Sequence, residues 1–234
     1  MAEKQNYPSQ EMVFRLDDEL WFPNPYLGES DGLLAVGGDL SSERLLLAYR
    51  NGIFPWYAFR HSKEPQWYCP LDRFVIFPKE IHISHSMRTF LHSNKLEVRM
   101  NESFEEVIRS CSSLRIGESY AWLGPEMIDA YLTLHKEGYA TSVEVWSSST
   151  LVGGLYGVFL EGCFFGESMF SHVANASKLA LIHLCRSLSS IEHSFIDCQF
   201  ETPHLKSMGG RHISYSEYMS LIEASSHDIS AIMS

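Results

Sequence analysis

The sequence predicts an α+β protein: one mixed sheet with flanking helices, joined to a small N-terminal α/β domain. Three observations carry that prediction. First, ATSVEVW, TLVGGLYGVFL and GCFFGESMF follow one another through short connections, the pattern of an antiparallel meander. Second, amphipathic helical segments stand before and after them, at NESFEEVIRSCS, GPEMIDAYLTLHKEG and NASKLALIHLCRSL. Third, composition shifts near residues 60–70, around HSKEPQW, which sets a small domain at 1–66 apart from a larger one at 67–234. With 234 residues and 45% hydrophobic content the chain is long enough to bury such a core.

Near the N-terminus, WFPNPYLGESDGLLAVGGDLS is dense in Pro, Gly, Asn and Asp and reads as consecutive turns. A helix follows, capped by Ser41 or Ser42, with Leu45, Leu46, Leu47 and Tyr49 on its apolar side and Asn51-Gly52 closing it. LDRFVIF reads as a strand stopped by Pro78, and SHSMRTFLHS from Ser84 as a short helix. KLEVRM is a strand. Asn101 then stands where it would cap a helix striped by Phe104, Val107, Ile108 and Cys111. Pro125 suits the first turn of the next helix; Met127, Ala130, Tyr131 and Leu134 face its core side, and Gly138 ends it. After the meander, Asn175 stands where it would cap the third helix. SFIDCQF reads as a strand, with Ile196, Cys198 and Phe200 on a core face and Asp197 and Gln199 together on the other. In SYSEYMSLI, Ser214 and Glu217 have capping-box spacing. This order of elements resembles that of the N-acetyltransferase-like (GNAT) fold.

Composition narrows the function classes. No uninterrupted apolar span approaches the ~20 residues that cross a bilayer, since glycines and a glutamate break even LVGGLYGVFLEGCFF. The polar start MAEKQNYPSQEM lacks the apolar run of a secretory signal, so a cytoplasmic protein with no membrane contact is expected. Five scattered cysteines read as reduced thiols rather than as a disulfide framework or a zinc site. No histidine cluster suggests a metal. A net charge of −11 argues against a nucleic-acid partner, yet residues 51–100 run the other way. There Arg60, Lys63, Arg73, Lys79, Arg88, Lys95 and Arg99 stand against four acids, with His61, His82, His85 and His92 among them. The window is either a less acidic solvated face or a phosphate-binding surface, which needs only a few well-placed cations.

Four stretches put polar or aromatic groups where pattern would bury plain apolar ones. In GESMFS, Glu167 lies among Phe164, Phe165, Met169 and Phe170, either as an edge or salt-bridge carboxylate or as a desolvated site for a cationic ligand. In FIDCQF, Asp197 and Gln199 are two apart on a strand, roughly 6.5 to 7 Å, so they either tie the strand to a loop or touch one bound group. Trp56 in GIFPWY and Trp122 in AWLG occupy turn-like sequence, as anchors of a hydrophobic cluster or as pocket walls. There is no GxSxG, HExxH or P-loop, no Cys/His pair at recognisable spacing and no GxGxxG after a strand. SHVANASK stands where an acyl-CoA enzyme of GNAT type needs a glycine-rich pyrophosphate turn.

Taken together, GLLAVGGDLSSERLLLAYRNGIFPWY, LVGGLYGVFLEGCFFGESMFS, NASKLAL and FIDCQFETPHLKSMGG resemble the leucyl/phenylalanyl-tRNA–protein transferase family, from about residue 20 to about residue 224. The resemblance implies an aminoacyltransferase with a GNAT-like C-terminal domain that needs no metal or small cofactor. It would move Leu, Phe and less readily Met from aminoacyl-tRNA to the α-amine of proteins beginning with Arg or Lys, marking them for N-degron proteolysis in bacterial cytoplasm. It implies Asp197 and Gln199 as the catalytic pair and Glu167 as the acidic residue of the acceptor pocket. The chemistry of an amine attacking an activated ester then gives Asp197 the role of holding or taking the amine's proton and Gln199 that of positioning amine and ester. Trp56, Trp122, Tyr131 and Phe164 would surround the aminoacyl group and terminal adenosine, and Ser168 and Met169 join this substrate-binding set. Leu184 falls where some members carry an aromatic, and Ser42 where Pro is common. A monomer is the default expectation. Two other readings stay beside this one: a CoA-dependent N-acetyltransferase, and a non-catalytic module binding tRNA ends or basic N-termini.

Overall fold

The computed structural model describes residues 13–56, 64–93, 95–112 and 123–233. The described residues form two sheets. In the small one, β1 (Phe14–Leu16), β2 (Leu33–Gly37), β3 (Phe54–Trp56) and β4 (Gln66–Tyr68) run in the order β1-β2-β4-β3, and α1 (Ser42–Arg50) connects β2 to β3. The large sheet holds β5 (Asp72–Ile76), β6 (Glu97–Met100), β7 (Ala140–Ser147), β8 (Thr150–Leu160), β9 (Cys163–Ser171), β10 (Ile196–Asp197) and β11 (Arg211–Ser214). Its order is β11-β5-β10-β9-β8-β7-β6, antiparallel throughout except for the parallel β9–β10 pair. The sheet is mixed, as the sequence predicts for an α+β protein. The expected domain boundary after residue 66 falls inside β4; the chain leaves the small sheet after Tyr68 and enters the large one at Asp72.

Six further helices are α2 (His85–Ser93), α3 (Phe104–Ser112), α4 (Pro125–Lys136), α5 (Ala176–Leu188), α6 (Pro203–Ser207) and α7 (Tyr215–Met233). Period-two alternation sends neighbouring side chains to opposite faces of the large sheet. Phe164 packs with α2 and α5 on one face, while Phe165 packs with α1, α3, α4, α7 and the small sheet on the other. A parallel pair needs a crossover, and α5, buried along Leu179, Leu181, Ile182 and Cys185, supplies it between β9 and β10. Among the described residues no helix is long and apolar enough to cross a membrane.

Local signals place most elements well and some caps wrongly. Ser41 Oγ accepts from Arg44 N, Gly138 takes the left-handed φ of +87° after α4, and Ser214 Oγ accepts from Glu217 N. Asn101, expected to cap α3, instead has φ +60° and accepts from Ser142 N. The amides of Glu102 and Ser103 run to the buried carboxylate of Glu144, a charge well suited to a helix N-terminus. Asn175 occupies the N-cap position of α5 in a left-handed conformation without a side-chain cap bond. The turn-rich N-terminal stretch hides β2, whose Leu33, Leu34 and Ala35 are buried. Arg44 is buried too, on a helix side that sequence leaves polar, and its Nη2 donates to the carbonyls of Asp17 and Glu19.

Candidate active site

The site forms where the parallel pair parts. β9 and β10 share only two registered pairs, Ile196 with Phe164 and Asp197 with Phe165. Beyond them β9 carries a bulge: Tyr156 of β8 faces Ser168 and Gly157 faces Gly166, so Glu167 is the extra residue. The close approach on β8 requires glycine, since a Cβ at Gly157 would lie 2.1 Å from the Phe165 carbonyl oxygen. β10 ends just as abruptly. Asp197 Oδ1 accepts from Gln199 N at 2.9 Å, and Gln199 takes a φ of +58°. The period-two reading of FIDCQF therefore fails after Asp197. Gln199 is turned rather than extended, its Nε2 donating to the Gly166 carbonyl at 2.7 Å across the gap. Phe200, expected on the Ile196 face, packs instead with Phe54 and Trp56 in the opposite core.

The gap is a cavity of about 390 Å³, lined on its apolar side by Leu155, Met169, Leu181, Leu184, Ile196 and Leu205. Its polar wall comprises Glu167, Ser168, Asp197, Gln199, Thr202 and His204, with Tyr156 and Cys198 also contributing. A volume of this size suits a small ligand or one amino-acid side chain.

Asp197 is held from three elements. Both it and Arg73 of β5 are 1% exposed, and Arg73 Nε lies 3.0 Å from Oδ1 and 3.2 Å from Oδ2. Tyr218 of α7 donates to Oδ2 at 2.9 Å. Arg73 also donates from Nη2 to the Gly52 carbonyl and to Tyr218, and its guanidinium lies 4.6 Å from the Tyr218 ring centroid. Burial works most strongly against the Arg73 charge, but the Asp197 carboxylate, joined by Tyr218 and Cys69, more than offsets it and raises the guanidinium above its usual range. Both oxygens of Asp197 are engaged, whereas Arg73 Nη1 is buried without a hydrogen-bond partner among the described residues, so the pair keeps part of the desolvation cost of its burial.

Glu167 is half-buried and has a different environment. Tyr49 donates to Glu167 Oε1 at 2.7 Å, and Tyr131 hydrogen-bonds Tyr49. Burial pushes the Glu167 carboxyl up to about 7; the Tyr49 and Tyr131 hydrogen bonds oppose the rise, and the Asp197 charge adds to it. The Tyr156 hydroxyl, fully buried against Tyr131, has no hydrogen-bond partner among the described residues. A carboxyl poised near neutrality beside an unpartnered hydroxyl is chemically prepared for a cationic guest.

Of the residues singled out in the sequence, Phe164, Glu167, Ser168, Met169, Asp197 and Gln199 line this one cavity. Tyr131 stands behind the lining, bonded to Tyr49, acting on Glu167 and packed against Tyr156. Trp56 stands outside the lining, its ring 5.5 Å from that of Phe200, the residue after Gln199. Trp122 lies outside the described residues. Sequence reasoning missed Arg73, Tyr218, Tyr49, Tyr156 and His204 as site residues; an arginine inside the apolar run LDRFVIF was the one available signal. Arg73 also leaves the proposed basic face, because it is buried, and Arg99 of that face pairs with Glu97 and Glu102. Among the described residues no group of three or more His, Cys, Asp or Glu could hold a metal ion.

Comparisons with known proteins converge on one family. Residues 75–223 match the family model described as leucyl/phenylalanyl-tRNA protein transferase, and residues 38–71 match that of its N-terminal domain. A leucyl/phenylalanyl-tRNA–protein transferase of Syntrophobacter fumaroxidans is 51% identical over 212 residues, 90% of this chain and 89% of that one. Relatives with the same name from Desulforapulum autotrophicum and Flavobacterium psychrophilum are 48% and 47% identical, over 91% and 89% of this chain and 93% and 98% of theirs. The solved structure of L-PGS from Bacillus licheniformis is far less similar, with TM-score 0.38 and 13% identity over 74% of this chain and 57% of that one. By family models and relatives together, the chain belongs to the leucyl/phenylalanyl-tRNA–protein transferase family, a family of aminoacyltransferases.

Proposed function

We propose that the protein transfers Leu or Phe, and less readily Met, from aminoacyl-tRNA to the α-amine of proteins that begin with Arg or Lys, marking them for N-degron proteolysis in the cytoplasm. The observation that carries this reading is the single cavity joining an apolar wall of Leu155, Met169, Leu181, Leu184, Ile196 and Leu205 to Glu167, Gln199 and Asp197. The apolar wall accepts the donor side chain and excludes charged ones. Glu167, poised near neutrality, ionises when a cationic Arg or Lys side chain arrives. Trp56, beside Phe200 at the turn, is assigned to the terminal adenosine outside the cavity. The mixed sheet, with its meander followed by a parallel β9–β10 pair, supports a GNAT-like catalytic domain, and the small sheet is read as a separate N-terminal domain.

An aminoacyl ester is already activated, so no enzyme nucleophile is required. In this reading Gln199 aligns amine and ester at the cavity. Asp197 completes the pair by fixing the turn that presents Gln199. The decisive assay is transfer of radiolabelled Leu from Leu-tRNA to a peptide beginning with Arg, with an Ala-starting peptide as control. Transfer to the first alone is expected. No transfer to either overturns the reading and favours a binding module; turnover of acetyl-CoA would favour an N-acetyltransferase. Asp197→Ala is expected to abolish transfer while tRNA binding stays nearly intact, and full activity in that variant would remove Asp197 from the centre.

A further inference from the structure

The attacking amine must lose a proton as it forms the new peptide bond, and Asp197 is poorly placed to receive it. Its Oδ1 faces Arg73 and accepts from Gln199 N, and its Oδ2 accepts from Arg73 and Tyr218. A different wall of the same cavity holds an unpartnered ring nitrogen. His204, in the first turn of α6, lines the cavity with Gln199 and Glu167, and its Nε2 is covered from solvent without a hydrogen-bond partner among the described residues. Such an atom in a native interior calls for an explanation.

Resting on the function proposed above, we infer that His204 is the catalytic base of the transfer reaction. The neutral amine nitrogen bonds to the ester carbonyl carbon, and its proton passes to Nε2 of neutral His204. The bond from that carbon to the 3′-oxygen of the terminal adenosine then breaks, and the departing oxygen takes the proton from the imidazolium. His204 returns to its starting form, and no other reactant is consumed.

The surroundings suit that cycle. Burial, and after it the Lys178 charge on α5, lower the His204 pKa, so the ring is neutral near pH 7. Of the other ionisable groups facing the cavity, Tyr156 belongs to β8, Glu167 to β9, Asp197 to β10 and Cys198 to the turn. On the α6 side Lys206 is paired with Glu201 at 2.9 Å, which leaves Lys178 as the cation acting on the ring.

The test compares wild type, His204→Ala and His204→Asn in single-turnover transfer of Leu from Leu-tRNA to an Arg-starting peptide, from about pH 5 to 9. For both variants kcat is expected to fall by about 10²-fold or more, with the peptide KM within about threefold. With peptide saturating, so that ionisation of Glu167 does not enter, the wild-type rate below about pH 6.5 should fall more steeply than ionisation of the peptide amine alone requires, and the variants should lose that extra limb. Added imidazole should restore part of the rate to His204→Ala. The inference is overturned if kcat stays within about threefold of wild type, or if activity is lost with the pH profile unchanged and no imidazole rescue, the signature of a structural role. Absence of transfer by wild type itself would instead overturn the underlying functional reading.

Discussion

At the scale of single residues, Glu167 and its tyrosines make the sharpest predictions. A carboxyl lifted from its usual 4.5 to about 7 keeps its proton in the folded protein over a range in which the unfolded chain has released it. Its contribution to stability is therefore full below about pH 4.5 and is lost as pH rises through about 7. Urea unfolding should show wild type losing roughly 1–3 kcal/mol across that window relative to Glu167→Gln, whose profile should be flatter. A profile identical to that of the variant would contradict the desolvation argument. In the proposed function the same carboxyl ionises to receive a cationic side chain, so on that proposal Arg-peptide affinity should weaken as pH falls below about 7, more than for an apolar-starting peptide measured alongside. Tyr49 and Tyr156 differ instructively. Tyr49→Phe removes a donor from Glu167 and should cost about 1–2 kcal/mol, whereas Tyr156→Phe removes an unpartnered hydroxyl and should leave stability unchanged or higher.

At the scale of elements, the Arg73–Asp197 pair ties β5 to β10, and Tyr218 brings α7 onto the same carboxylate. Arg73→Met leaves a buried charge without its partner and should cost about 3–5 kcal/mol by chemical denaturation. The double variant Arg73→Met/Asp197→Leu removes both charges and should recover part of that loss, though not transfer activity. Full additivity of the two single losses would show that the residues are not coupled. This pair also marks the limit of what sequence could reveal. Its members are 124 residues apart, and no local pattern joins them. The meander, α1, α4 and the motif positions of Glu167, Asp197 and Gln199 were legible because periodicity, caps and family motifs are local signals. The shape of FIDCQF was not, because an aspartate accepting its own chain's amide two residues on converts a strand into a turn without changing the hydrophobic pattern. Nor was the bulge at Glu167, although the glycines of GLYG on β8 mark the close approach that accompanies it.

At the scale of the whole molecule, a chain of net charge −11 is proposed to bind a polyanion, so its cations must be few and well placed. Of the seven in residues 51–100, Arg73 is buried in the site and Arg99 is engaged by two glutamates, while Arg60 and Lys63 lie outside the described residues. Lys79, Arg88 and Lys95 are exposed. About three phosphate contacts from these give a slope of log affinity against log salt of roughly −2 to −3, well short of the steeper dependence of a strongly basic binder. Because the rest of the surface is acidic and screened beyond about 8 Å at physiological ionic strength, salt weakens the contacts and the long-range repulsion together, and the net slope should sit at the shallow end. Titrating aminoacyl-tRNA binding from low to moderate salt measures it, and Arg88→Gln should lower the slope by about one unit without altering the peptide KM. An affinity indifferent to salt would place the binding energy in the cavity and the aromatic turn around Phe200, and would remove the cations of residues 51–100 from the tRNA surface.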